Sequence, residues 1–269
     1  MQNNNPQDLG LLLDSVIQIV SEAASMIKQA PFCVTEKSDA TNIITSNDLA
    51  SQRYLIKELS TLLPDSGFYC EEEDVHEFNK EWVWVIDPID GTCNFAQGLS
   101  LYGIQLALFY ENICRGAVLY FPVEDTMYVA EEGKGAYKNG KRLFVDQKKP
   151  SSDGFLIISD YYDSIDIAFD QQFALVKALQ KHFLKTRHFG AACVDFTMLA
   201  EGHALAYITY YHKLWDIAPG LLLAKEAGFV YGAVDQDDYH YHRPGLVVAN
   251  SEQTLSLIKE EAKRLGMMS

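Results

Sequence analysis

The order of apolar and polar positions along the chain predicts helices first, then a run of strands, then an alternation of the two. Residues 9–28 carry Leu12, Leu13, Val16, Ile19, Val20 and Ala23 at helical spacing, which reads as one amphipathic helix stopped by Pro31. The polar segment 35–39 reads as a loop. A second helix starts at Ser46-Asn47-Asp48, buries Leu49, Tyr54, Leu55, Leu59 and Leu62, and ends at Pro64-Asp65. Residues 67–70 form a short strand and the aromatic and β-branched run 82–86 a buried one. Residues 101–109, 113–121 and 126–130 follow as a meander, and Asn139-Gly140 marks a hairpin. The polar stretch 148–152 divides the chain into an N-terminal half, 1–147, of two helices on an antiparallel sheet and a C-terminal half, 148–269. In that second half, strands at 155–159, 184–189, 204–209, 230 and 246–249 alternate with helices at 169–182, 191–201, around 221–227 and at 252–265. Alternation of this kind predicts an α/β layer.

The chemistry concentrates where strand 82–86 stops, in Asp87-Pro88-Ile89-Asp90-Gly91-Thr92. Two carboxylates at the mouth of a buried strand repel each other and lose hydration, and a bound cation removes both penalties. Pro88 stiffens the loop, Gly91 permits close approach of backbone to a ligand, and Thr92 adds a hydroxyl. A helix beginning near Thr92 would place free N–H groups, an anion cradle, beside the cation. Hard oxygen ligands next to such a cradle point to Mg²⁺ and a phosphate. Taken alone, Asp87 and Asp90 also read as an Asx-type turn, Asp48 as a first-turn carboxylate, and Lys37 as a solvated side chain. The run Glu71-Glu72-Glu73-Asp74 follows strand 67–70, and pairing of that strand with 82–86 would bring Glu71 beside Asp87 and Asp90. Asp216 sits where a helix begins, with Pro219 read into its first turn. A proline there removes an N–H that a capping Asp would bond, which turns the carboxylate elsewhere.

Composition sharpens this picture in three respects. The 269 residues carry a formal net charge of −15, which disfavours direct binding to nucleic acid or an anionic membrane and makes metal ions the natural source of positive charge for a phosphate. Five scattered cysteines without CxxC spacing predict reduced thiols in a cytosol and exclude a zinc or disulfide framework. The polar start MQNNNPQDLG lacks a signal-type apolar core, and no apolar run is read as reaching transmembrane length. His240 and His242 read as part of an exposed loop, 235–243.

Glu71-Glu72, then Asp87 to Thr92, then Trp215-Asp216 with Glu226-Ala227-Gly228 together resemble the motifs of the inositol monophosphatase family. Lys37, the Ser46-Asn47-Asp48 helix start and Gly190-Ala191-Ala192 also fall in family order, so the resemblance covers nearly the whole chain. It implies a layered α-β-α-β-α sandwich and a Mg²⁺-dependent, lithium-sensitive phosphomonoesterase, cytoplasmic and homodimeric. Two or three Mg²⁺ ions are implied. Glu71, Asp87 and the Ile89 carbonyl would hold one; Asp87, Asp90 and Asp216 a second; Glu71 would be shared with a weaker third. Asp48 and Thr92 would orient the attacking water, with Glu71 also in the catalytic set and Glu72 and Lys37 in support. Asp90, Gly91, Thr92, Ala192, Thr209 and Asp216 would surround the substrate, inositol 1-phosphate by default. Thr209 stands where family members acting on inositol phosphate carry Glu, Pro219 replaces a small residue, and Tyr207, Tyr210, Tyr211, His212 and Lys213 form an aromatic, partly basic set. A broader choice of ester follows, with a sugar phosphate, histidinol phosphate or a 3′-phosphorylated adenosine nucleotide as alternatives. A homologue acting through a protein partner is the reading from a different class.

Overall fold

The computed structural model describes residues 9–39, 42–73, 75–159, 169–235, 238–241 and 243–267. Helix α1 (Leu9–Gln29) is followed by a hairpin of β1 (Val34–Asp39) and β2 (Asn42–Thr45), then by α2 (Ser46–Leu62). Strands β3 (Gly67–Cys70) and β4 (Trp82–Asp90) lead through the short α3 (Thr92–Ala96) to β5 (Gly103–Tyr110), β6 (Ile113–Phe121), β7 (Thr126–Glu131), β8 (Gly135–Lys138) and β9 (Lys141–Leu143). The remainder runs β10 (Phe155–Ile158), α4 (Phe169–Leu179), β11 (Lys185–Arg187), α5 (Ala192–Ala200), β12 (Ala204–Thr209), α6 (Leu214–Glu226), β13 (Val230–Ala233), β14 (Leu246–Ala249) and α7 (Glu252–Arg264).

Strands β3 to β9 form one sheet in chain order, β10 to β14 form a second in the order β11-β10-β12-β14-β13, and β1 and β2 pair only with each other. Each sheet is apolar on both faces, so helices cover both. One cluster joins α1 and α2 to the outer face of the first sheet through Val16, Val20, Leu55, Leu59, Trp84 and Ile86. A second fills the space between the sheets with α5 and α6, through Val83, Val85, Phe196, Leu199, Ile217 and Leu222. A third packs α4 and α7 on the far face of the second sheet through Leu175, Leu179, Leu255 and Ile258. The result is the expected α-β-α-β-α sandwich, with α5 and α6 as its middle layer.

Three readings are corrected. Segment 35–39 is half of the β1–β2 hairpin; Val34, Thr35, Glu36 and Lys37 are exposed, so no alternation of apolar residues announces it. The first sheet is not wholly antiparallel, because β3 and β4 run parallel with Cys70 opposite Ile86. The chain between them, residues 71–81, is long enough for the return that parallel pairing needs. Helix α1 also passes for a membrane span by length and composition, with a mean hydropathy of 1.4 over Leu9–Lys28. Leu12, Leu13, Val16, Val20, Ala23 and Ala24 are buried here against α2 and the first sheet, while Leu11, Asp14, Ser15 and Gln18 face outward. It is the core helix of this fold.

The middle layer is tight enough to test. Gly220 lies inside α6, where glycine ordinarily weakens a helix, and a Cβ there would meet ring carbons of Phe196 on α5 at 2.2 Å. Gly220→Ala is expected to destabilise the protein by about 1–3 kcal/mol, the usual cost of overpacking a core. An unchanged urea midpoint would contradict the close crossing of α5 and α6.

Candidate functional site

The geometry of β4 decides where its carboxylates point. Side chains alternate along a strand, so residues three apart belong on opposite faces. Trp82, Trp84 and Ile86 face α1 and α2, and Val83 and Val85 face α6. Between Asp87 and Asp90 the register against β5 slips by one residue: Asp87 pairs with Gln105 and Asp90 with Gly103. That bulge, with Pro88 in it, returns Ile89 to the α1–α2 side and puts both carboxylates on the α6 side. The parallel pairing of β3 completes the step: the Glu71 N–H donates to the Ile86 carbonyl at 3.1 Å, so Glu71 begins its turn beside Asp87.

Gly91 makes the turn from β4 into α3. Its φ is 86°, and a Cβ would stand 2.8 Å from the Leu101 carbonyl oxygen and 2.9 Å from the Ala191 Cβ. Only glycine fits there. The helix expected near Thr92 does begin at that residue. The Thr92 hydroxyl lies 3.1 Å from Asp48 Oδ1 and 3.0 Å from the Ile89 carbonyl oxygen, so Asp48 and Thr92 form a pair across 44 residues of chain. Asp48 is the third residue of α2, after the N-cap Thr45, and its Oδ2 accepts from the Thr45 N–H at 2.9 Å and from the Thr45 hydroxyl.

Asp216 enters from α6. The structure corrects the reading of this helix: it starts at Leu214 with Lys213 as N-cap, Asp216 is its third residue, and Pro219 stands in its second turn. The proline therefore deprives the Trp215 carbonyl of a partner and leaves the cap intact. Asp216 Oδ2 accepts from the Lys213 N–H at 2.8 Å, leaving Oδ1 for other partners. Asp90 does for α5 what Asp216 does for α6. It accepts from the N–H groups of Cys193 and Ala192, at the N-terminus of a helix whose own N-cap, Ala191, has no side chain to offer. The Ala192 N–H is thus directed at Asp90, and Ala192 also borders the adjoining cavity. Asp87 Oδ1 accepts from the Ile89 N–H at 3.1 Å, an Asx turn that coexists with the site.

Burial and like charge dominate the electrostatics. Asp87 and Asp216 are held well above the usual carboxylate range, first by burial, then by the charge of Glu71 and of the other aspartates. Asp90 is pushed up to about 6 by burial, against the pull of the Cys193 and Ala192 N–H groups. Burial raises Asp48 as well. Lys37 reaches in from the exposed hairpin to Glu71 Oε1 at 2.8 Å and Glu72 Oε1 at 2.5 Å. Burial, then the charge of Glu71, still pushes Glu72 up to about 7. Gln52 of α2 fixes the Glu72 backbone from both sides, at 2.5 and 2.9 Å.

Glu71, Asp87, Asp90 and Asp216 therefore share one field. Among the described residues, no three Asp, Glu, His or Cys side chains already stand as a closed coordination cluster. The Glu71 and Asp87 side chains are nevertheless in hydrogen-bond contact, and a cation would relieve the repulsion among the four carboxylates. The donors on offer are carboxylates, a carbonyl and a hydroxyl, the set that suits Mg²⁺. Glu226 lies elsewhere; its two oxygens accept from the Gly133 and Gly135 N–H groups at 2.9 Å each. His240 is exposed, while His242 and Asp74 lie outside the described residues.

A cavity of about 180 Å³ opens beside Asp90 and Asp216, walled by Ala192, Asp195, Tyr207, Thr209 and Tyr211 among others. Thr209 is buried and its hydroxyl donates to the Tyr211 carbonyl at 2.8 Å. Sequence reasoning missed Asp195, the one acidic residue of the otherwise apolar run ACVDFTMLA, and Gln105, a lone amide within GIQLALFY. Gln105 is fully buried opposite Asp87, and its Nε2 donates to the Asp216 carbonyl at 3.3 Å. A single polar residue in an apolar element was the available signal for both.

The raised carboxylates set a pH dependence. A group whose pKa is higher folded than unfolded stabilises fully below its unfolded value, about 4, and that stability is lost as pH rises through the folded value. For Asp90 and Glu72 those folded values are about 6 and about 7. In chelator, Asp90→Asn is expected to reduce the fall of the thermal midpoint between about pH 4 and about pH 6, and Mg²⁺ to reverse that fall in the wild type. Identical profiles for wild type and variant would show that the carboxylates are not strained by burial.

Residues 8–266 match the model of the inositol monophosphatase family. A putative Nus factor SuhB of Neisseria meningitidis serogroup B is 28% identical over 227 residues, 84% of this chain and 86% of that protein. The inositol-1-monophosphatase of Bacillus subtilis is 27% identical over 248 residues, 90% of this chain and 92% of that protein. A solved IMPase/NADP phosphatase complexed with Mg²⁺ and phosphate superposes with a TM-score of 0.78 at 23% identity, over 94% of this chain and 95% of that one. With a family match along nearly its full length and a sandwich of the same design, the chain belongs to the inositol monophosphatase family.

Proposed function

We propose that this chain is a Mg²⁺-dependent phosphomonoesterase acting on small phosphate esters, inositol 1-phosphate among them. The observation that carries the reading is the meeting of Glu71, Asp87, Asp90 and Asp216 from three separate segments, beside the Asp48–Thr92 pair. Glu71, Asp87, Asp90, Asp216 and the Ile89 carbonyl would hold the ions. Bound Mg²⁺ would neutralise phosphoryl oxygens, acidify a water and help the alkoxide leave, with no protein nucleophile. The residues' own part is positional. An ionised Asp48 accepts the hydrogen bond of the Thr92 hydroxyl, which leaves a lone pair on the Thr92 oxygen free to accept from the attacking water and aim it. Gly91 brings backbone within reach of the phosphate. Lys37 holds Glu71 and Glu72 while they carry like charge. A homodimer in the cytosol completes the reading.

Two measurements test it. Hydrolysis of a panel of phosphate esters should depend on a divalent cation, with Mg²⁺ preferred to the larger, loosely coordinated Ca²⁺; full activity in excess chelator would sink the mechanism. Asp87→Asn or Asp90→Asn should lower the rate by several orders of magnitude and leave the thermal midpoint equal or higher, since each removes a repelled buried charge. A folded variant with near-normal rate would dismiss the assignment.

The Nus factor name of the Neisseria relative favours a second reading, a role through a protein partner. Measurable turnover in the wild type, with no phenotype in cells carrying Asp90→Asn, would support it. A cellular defect in Asp90→Asn that accompanies the loss of activity would argue for catalysis.

A further inference from the structure

The cavity beside Asp90 and Asp216 is where the alcohol of the ester would lie, so its wall says which alcohol fits. This step rests on the phosphatase reading above. In that reading Asp90 and Asp216 border the alcohol but have their charge engaged by the cations. Thr209 is fully buried and has committed its proton to the Tyr211 carbonyl, so position 209 offers no charge and no free donor. The remaining formal charge is that of Asp195, in the first turn of α5, 2% exposed and on the cavity wall. Among the described residues that line the cavity there is no lysine or arginine. The nearest cation in sequence, Lys213, holds its ammonium 5.3 Å from the centre of the Tyr211 ring.

We propose that Asp195 determines specificity: its carboxylate accepts hydrogen bonds from the leaving alcohol and repels a second anionic group. The substrate class is then a monoester whose alcohol carries hydrogen-bond donors, hydroxyl or ammonium, and no further phosphate or carboxylate. A carboxylate on α5 does for this chain what a charged side chain at position 209 does not. A hydrogen bond to a charged acceptor is strong, and a buried carboxylate facing an apolar or anionic group is costly, so one residue both selects and excludes.

The test compares wild type with Asp195→Asn, in Mg²⁺, on a cyclic polyol phosphate, an amino-alcohol phosphate, phenyl phosphate and a sugar bisphosphate. The ratio of kcat/KM for the better donor-bearing ester to that for phenyl phosphate is expected to fall about tenfold to a hundredfold, mostly through KM. The bisphosphate should gain several-fold relative to the polyol ester. The donor ester that loses more identifies hydroxyl or ammonium as the partner. Unchanged ratios in a folded variant, or an equal loss on every ester, would overturn the proposal, the second outcome indicating a structural role. Asp195→Ser supplies the same comparison if the Asn variant fails to fold. If the wild type hydrolyses none of the esters, the phosphatase reading fails by itself. Calorimetric binding of the polyol phosphate in Mg²⁺, weakened in the Asn variant or not, then still decides the role of Asp195.

Discussion

One extra residue in β4 governs the site. Without the slip between Asp87 and Asp90, strand alternation would send one carboxylate toward α1 and α2, into apolar packing. With it, both face the layer between the sheets, where Asp216 arrives from α6 and Glu71 from the parallel neighbour β3. The bulge is affordable because its other residues are well used. Ile89 is buried in the outer cluster, the Pro88 carbonyl accepts from Ser51 at 3.3 Å, and the Ile89 carbonyl lies within reach of Thr92. A proline tolerates this place because it asks for no ladder bond.

The carboxylates are also structural parts. Asp48 closes the start of α2, Asp216 that of α6, Asp90 that of α5, and Asp87 its own turn. In each, at least one oxygen is fixed by backbone N–H, which orients the other. A group held by its own helix or strand keeps its aim through the reaction cycle, which a side chain on a free loop would not. The cost appears as raised pKa values, and those values are what a divalent cation would relieve.

Much of this was legible in the residues. Apolar spacing located the helices of the core to within a few positions, and the approach of Glu71 to Asp87 followed from a short strand ending in acid, though the parallel pairing that delivers it did not. What stayed hidden has physical reasons. The β1–β2 hairpin buries almost nothing, so it lacks the alternation that marks a strand, yet it delivers Lys37 to Glu71 and Glu72. The start of α6 was placed too late because Leu214 and Trp215 are bulky apolar residues that look like strand or core, and Lys213 is an unusual N-cap. Asp195 was hidden in a helix read for its small and apolar residues, and its place on a cavity wall depends on contacts between α5 and β12 that no local pattern encodes.

The middle layer also has a consequence for synthesis. The first sheet is complete at Leu143, but the helix that covers its inner face, α6, ends at Glu226. At about 5–20 residues per second, a ribosome exposes that apolar face for roughly 4–17 seconds before its cover exists. During that interval Val83, Val85 and Ala107 still await the helices of the middle layer. The inner face of the first sheet is therefore closed only once the last third of the chain has emerged.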